Sequence, residues 1–173
     1  MKNSENIFNG RIVSLAIEEH QFPDGRCAKF EVVHHPGGVA ILPLLDDDRV
    51  VLIRQYRPAL GGMVLEIPAG RLESEETPEN CARRELREEV GYQAENLEYL
   101  GEMLPAVGFS DERIHLFVAR GLTSVPQALE PDEYIEVLRL PLNALLRMVR
   151  EGHLPDGKTQ LALLLWQHGQ SAG

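Results

Sequence analysis

GRLESEETPENCARRELREEVGY, residues 70–92, is the stretch on which the reading of this chain turns. Thr77-Pro78 is a helix start: threonine caps, and proline suits the first helical position, where its missing N–H is not needed. Glu79 stands in the first turn, at the positive end of the helix dipole, and Gly91 is a natural stop. The pattern predicts a helix over about 78–90. On it Glu85 and Glu89 are four residues apart and Glu88 is three from Glu85, so the three carboxylates converge on one side. Like charges at that spacing repel unless something positive lies between them. Hard carboxylate oxygens suit Mg²⁺ or Mn²⁺, which in turn bridge phosphates. Arg84, four from Glu88, is placed to hold a carboxylate in position. Leu86, Val90, Cys81 and Ala82 supply an apolar side to pack on a sheet. The plainer alternative is a solvated face laced with ion pairs, the usual fate of a helix rich in glutamate and arginine.

On the N-terminal side, 11–20 (RIVSLAIEEH) and 26–35 (CAKFEVVHHP) read as strands joined by a Pro23-Asp24-Gly25 turn, and Pro36-Gly37-Gly38 breaks the chain. Strands follow at 38–45 and 49–56, joined by Asp46-Asp47-Asp48, and a short one at about 63–67 leads into Pro68-Ala69-Gly70. Beyond the helix come strands near 96–102, 113–119 and 134–140. Residues 141–151 carry Leu142, Leu145, Leu146 and Val149 at helical spacing, and 158–168 read as a final, largely buried helix. This order predicts an α/β (α+β) fold in which helices cover both faces of a mixed sheet.

At 173 residues the chain is expected to form one domain over 1–173, with an N-terminal β-hairpin to about residue 36 and a core from 37. It has no apolar run of membrane-spanning length, and MKNSENIFNGR does not read as a signal peptide. Cys27 and Cys81 form no metal-ligand spacing, so thiols in a reducing cytoplasm are expected. A net charge of −10 argues against a general nucleic-acid binder. It also sits awkwardly with an anionic substrate, unless divalent cations neutralise the carboxylates and arginines line the pocket. His34, His35 and His115 read as strand or surface residues, Trp166 as core or helix-packing surface, and Phe109 as core in preference to a pocket wall.

The 70–92 stretch resembles the Nudix box, G-x5-E-x7-R-E-U-x-E-E-x-G-U with U bulky and apolar. Every fixed position is filled: Gly70, Glu76, Arg84, Glu85, Leu86, Glu88, Glu89, Gly91 and Tyr92. A merely solvated helix has no use for the glycines and Glu76 at those offsets, which turns the reading to a metal site. The resemblance implies the Nudix fold, a three-layer α/β/α sandwich with a mixed β-sheet. The flanks VLIRQYRPALGGMVLEIPAGRLE (51–73), GFSDERIHLFVARGL (108–122), DEYIEVLRLPL (132–142) and DGKTQLALLL (156–165) look like the ADP-ribose pyrophosphatase branch.

That branch implies metal ligation by Glu85, Glu89 and the backbone carbonyl of Ala69, with Glu88 assisting and Glu112 at a further acidic position near the metals. It implies that Arg57 contacts the diphosphate-ribose portion of the substrate. Arg54, Glu66, Gly70 and Gly108 complete the expected substrate-binding set, although Arg54 falls on the opposite face if its strand is regular. The expected catalytic set is Glu133, Glu88 and Arg84. Glu133 stands where branch members carry a water-activating glutamate, ahead of Tyr134-Ile135-Glu136-Val137, with Glu130 in reserve and Asp132 in the same loop.

The implied activity is Mg²⁺- or Mn²⁺-dependent hydrolysis of a nucleoside diphosphate sugar, ADP-ribose to AMP and ribose 5-phosphate. One departure bears on the substrate: Val107 replaces a proline that the branch associates with ADP-ribose. GDP-mannose or another sugar nucleotide is the alternative, and a binding-only ligand sensor is a reading from a different class. Branch members are commonly homodimers whose N-terminal strands complete the partner's pocket; a hairpin folded on its own subunit is the other possibility.

Overall fold

The structure is a computed structural model that describes residues 3–131 and 133–171. Asp132 lies outside them, as do Met1, Lys2, Ala172 and Gly173. Strands β1 (Ser4–Asn9), β2 (Ser14–Gln21) and β3 (Cys27–His34) form an antiparallel sheet in that order. A second sheet, ordered β7-β4-β9-β8, joins β7 (Ala69–Arg71), β4 (Gly38–Pro43), β9 (Ile114–Ser124) and β8 (Tyr92–Met103). It is mixed: β4 runs parallel to β9, with Gly38 opposite Ile114, while its other pairs are antiparallel. A third sheet, β10-β5-β6, is antiparallel and joins β10 (Ile135–Pro141), β5 (Arg49–Arg57) and β6 (Gly62–Glu66). The helices are α1 (Pro78–Val90), α2 (Leu142–Arg150) and α3 (Gly157–Ser171).

The layering follows from period-2 alternation on strands that are apolar on both sides. All six residues of β4 are buried. Its Ala40 and Leu42 join Val50, Leu52, Leu116 and Val118 in a core closed by Leu145 of α2 and by Leu163 and Trp166 of α3. Val39 and Ile41 turn the other way, with Val51, Ile53 and Phe117, and meet Cys81, Ala82, Leu86 and Val90 of α1. One helix layer lies on each side of the strands, as the three-layer reading requires.

The N-terminal region departs from expectation in its strand count. The expected hairpin is a three-stranded sheet, because SENIFN, with all six residues exposed, is recruited as β1 by pairing with β2. An exposed polar segment carries no burial pattern, so only the pairing reveals it. This sheet also lies against its own chain. Val33 N–H donates to the Phe109 carbonyl at 2.7 Å, and Asp111 N–H donates back to the Val33 carbonyl at 3.2 Å. His34 Nδ1 lies 2.6 Å from Asp111 Oδ2, and Arg71 donates to the Arg11 carbonyl at 3.0 Å. Phe109, expected in the core, is 59% exposed, because this segment contributes its backbone to the docking. Among the described residues no helix is long and apolar enough to cross a membrane.

Candidate active site

Helix α1 starts and stops as its sequence predicts. Thr77 Oγ1 accepts from Asn80 N–H at 3.3 Å, Pro78 opens the first turn, and Gly91 closes the helix in the left-handed region at φ 68°. A side chain at Gly91 would also press on the Val125 carbonyl at 2.8 Å. Glu85 and Glu89 stand beside the apolar stripe of α1 and are almost buried, at 7% and 1% exposure. Glu89 Oε2 accepts Ala69 N–H at 2.8 Å, which ties the helix to β7. Gly70, next along β7, lies so close to Glu85 that a Cβ there would fall 1.8 Å from Oε1. The first glycine of the 70–92 pattern is therefore the room that the Glu85 carboxylate occupies.

Arg84 is the hub of the surrounding charges. Its Nε and Nη2 clamp Glu76 at 3.0 and 2.9 Å, and its Nη1 reaches Glu85 at 2.6 Å and Glu88 at 3.2 Å. The Arg84 hydrogen bonds hold the Glu76 carboxyl down at about 2. Glu76 also receives Glu73 N–H at 3.1 Å, so it anchors the turn before α1. Arg84 thus gathers three carboxylates, a wider task than the pairing with Glu88 that spacing suggests.

These groups border a cleft of about 450 Å³. Ala69, Gly70, Arg84, Glu85, Glu88 and Glu89 line one side, with Arg57, Gln55 and the loop residues Glu130 and Glu133 around them. Eight of the twelve expected site residues, with the reserve Glu130, are thereby gathered from β5, β7, α1 and the loop before β10. Four of the expected site residues are not brought to this wall. Arg54 faces Glu136 across the β5–β10 ladder and pairs with it at 2.6 Å; strand alternation puts Gln55 and Arg57 on the cleft side and Arg54 on the other. Glu66 is 1% exposed and faces Arg57 from behind, accepting its Nε at 2.7 Å and Nη2 at 2.8 Å. Gly108 and Glu112 lie on the segment that docks the N-terminal sheet, with Glu112 3.5 Å from His35 Nδ1. Sequence reasoning missed the cleft residues Arg11 and Ile12, which the turn between β1 and β2 delivers, and Gln55, two residues before Arg57 on the same face of β5.

The electrostatics favour a cation. Burial pushes the Glu85 carboxyl up to about 7, against the pull of Arg84. Burial and the neighbouring charge of Glu85 hold Glu89 well above the ordinary carboxylate range. The buried side-chain oxygen of Gln55 has no hydrogen-bond partner among the described residues. Among those residues no three acidic, histidine or cysteine side chains already form a cage; Arg84 draws Glu85 and Glu88 to itself instead. The donor set nonetheless fits a hard divalent ion, which would relieve the carboxylate crowding.

A pH dependence follows. In chelator, Glu85 and Glu89 bind protons more tightly folded than unfolded. Their contribution to stability is whole below the unfolded value of 4.5 and is lost as pH rises through about 7 for Glu85. The melting temperature of metal-free protein is expected to fall between about pH 5 and about pH 8, and Mg²⁺ should stabilise more at the upper end, since it takes deprotonated ligands. His34, raised chiefly by its hydrogen bond to Asp111, works in the same direction. Glu85→Gln is the control: it should flatten the metal-free profile, and an unchanged slope would remove Glu85 from the explanation.

Comparison with known proteins gives a concordant picture. Residues 34–163 match the model of the NUDIX domain. The chain is 40% identical to a methanol dehydrogenase activator of Bacillus methanolicus, over 92% of this chain and 88% of the relative. It is 38% identical to an ADP-ribose pyrophosphatase of Bacillus subtilis (92% and 87%) and 39% identical to a GDP-mannose pyrophosphatase of Cronobacter sakazakii (98% and 92%). Its fold matches the crystal structure of an ADP compounds hydrolase with a TM-score of 0.85 at 23% identity, covering 99% of this chain and 93% of that one.

Proposed function

We propose a substrate and a division of labour from one premise: the chain belongs to the Nudix family and is a Nudix hydrolase. Its reaction class is hydrolysis of a sugar nucleotide, and its substrate is ADP-ribose, cleaved to AMP and ribose 5-phosphate. The observation that carries this reading is the cleft itself, with two buried, charge-crowded carboxylates, Glu85 and Glu89, on one side and Arg57 among its other walls. The relatives named ADP-ribose pyrophosphatase, at 38% and 36% identity, support the choice of substrate.

Glu85, Glu88, Glu89 and the Ala69 carbonyl would hold Mg²⁺ or Mn²⁺, which when bound would neutralise diphosphate charge and acidify water. Arg57 binds the diphosphate through guanidinium N–H donors, and Arg84 keeps Glu85 and Glu88 in place. Glu133, whose Oε2 accepts Glu130 N–H at 2.9 Å, takes the proton of the attacking water. The water oxygen bonds to one phosphorus as the bond to the bridging oxygen breaks, and the departing phosphate carries the charge away. The reading extends to a cytoplasmic homodimer that binds no nucleic acid. Ile7, Phe8, Phe22 and Phe30 of the N-terminal region are exposed and suited to a second copy.

A relative named GDP-mannose pyrophosphatase, at 39% identity over 98% of this chain, supports GDP-mannose as a second reading, as does Val107 in place of the proline that the branch associates with ADP-ribose. The test is nucleotide release from ADP-ribose, GDP-mannose and NADH with Mg²⁺, for wild type and Glu133→Gln. Preferential AMP release from ADP-ribose, reduced about 10²–10⁴-fold in the variant, is expected. A GDP-mannose preference would transfer the assignment to that substrate, and full activity of Glu133→Gln would remove Glu133 as the base.

A further inference from the structure

We infer that Lys158 is a positioning residue for Arg57, acting through the buried carboxylate of Glu66. The inference rests on the reading that Arg57 meets the substrate diphosphate. Asp156-Gly157-Lys158-Thr159 opens α3, some ninety residues along the chain from β6, yet the two meet at one point. Glu66 ends β6. Its Oε1 accepts Arg57 Nε at 2.7 Å, and its Oε2 accepts both Arg57 Nη2, at 2.8 Å, and Lys158 Nζ. Lys158 Nζ also donates to Asp156 Oδ1 at 2.9 Å. Charges therefore alternate from the cleft inward: Arg57, Glu66, Lys158, Asp156.

The far end of this line is held firmly. Asp156 Oδ2 accepts the N–H of Thr159 at 3.0 Å and its hydroxyl as well. Thr159, wholly buried, accepts Ile67 N–H on Oγ1 at 2.9 Å, so the start of α3 is bolted to the chain immediately after Glu66. A fork of two N–H groups fixes a guanidinium only as well as the carboxylate beneath it is fixed. Lys158 holds that carboxylate through Oε2, the same oxygen that accepts Arg57 Nη2. Two N–H groups of Arg57 face Glu66, leaving its remaining donors for a ligand in the cleft that Arg57 lines. Ion pairs withdrawn from water add little net stability over apolar packing, so a line of four charges built around the buried carboxylate of Glu66 and ending at a substrate arginine is better explained by orientation.

The test compares ADP-ribose hydrolysis with Mg²⁺ by wild type, Lys158→Met, Lys158→Arg, Arg57→Ala and the double variant Lys158→Met/Arg57→Ala. Lys158→Met is expected to raise KM about tenfold and to change kcat less than about threefold. Arg57→Ala should raise KM at least as much, and the double variant should be no worse than Arg57→Ala alone, because the two changes break one contact chain. Lys158→Arg, which keeps the charge, should recover most of the loss. A KM for Lys158→Met within about twofold of wild type, with Arg57→Ala impaired, would overturn the positioning role alone, as would multiplicative effects in the double variant. An unimpaired Arg57→Ala would instead overturn the reading of Arg57, and the inference with it. If Lys158→Met does not fold, Asp156→Asn decides: a KM rise that vanishes in the Arg57→Ala background supports the inference, and an unchanged KM overturns it.

Discussion

Glu89→Gln is expected to abolish most turnover while raising the melting temperature of the metal-free protein. Glu89 is 1% exposed and shares its surroundings with Glu85, so its negative charge is opposed by burial and by a like neighbour. Glutamine keeps the size and an oxygen that can accept the Ala69 N–H now bonded at 2.8 Å. What it removes is the charge, which the fold opposes and a divalent cation needs. Losing one hard ligand should lower kcat about 10²–10⁴-fold at saturating Mg²⁺. Removing the crowded carboxylate should raise the melting temperature in chelator by about 2–4 °C for each kcal/mol recovered. The two measurements, kcat for ADP-ribose and calorimetry in chelator, must move in opposite directions. Full activity would show that the metal-ligand reading is wrong. Lost activity with a lower melting temperature would show that the carboxylate serves the fold.

Gly70→Ala carries the second large effect. Gly70 adopts a strand conformation open to alanine, but the added methyl would meet Glu85 Oε1 at 1.8 Å and Oε2 at 2.6 Å. The obstructed atoms are the far end of a flexible side chain, so the fold survives and Glu85 swings out of place. On the metal-holding role proposed for Glu85, its displacement is expected to cost about 10²-fold in kcat, with the melting temperature in chelator little changed. That combination would distinguish loss of position from loss of structure. If Gly70→Ala lowered stability and activity together, β7 itself would have moved; if it left kcat unchanged, the Glu85 pose would be irrelevant to turnover.

Much of this site is legible in the linear chain because it is local. The cap at Thr77, the stop at Gly91 and the convergence of Glu85, Glu88 and Glu89 all lie within one helix, where spacing alone sets geometry. The two cores are equally legible, since unbroken apolar strands such as GVAILP must be covered on both sides. Arg54 and Arg57 show where legibility weakens. Alternation separates their faces, but which face meets the cleft depends on how β5 sits between β10 and β6.

The sequence by itself determined the family, the layered fold and the carboxylates of α1, because each is written in short-range spacing and hydrophobic period. Tertiary structure alone decided the rest: that Glu66 lies behind Arg57, that Lys158 reaches it from α3, that the segment bearing Gly108 and Glu112 docks the N-terminal sheet, and that Arg11 and Ile12 reach the cleft. The physical reason is that a lone charged residue carries no period. Its partner is set by which backbones the packed layers bring together, and that is a property of the whole fold.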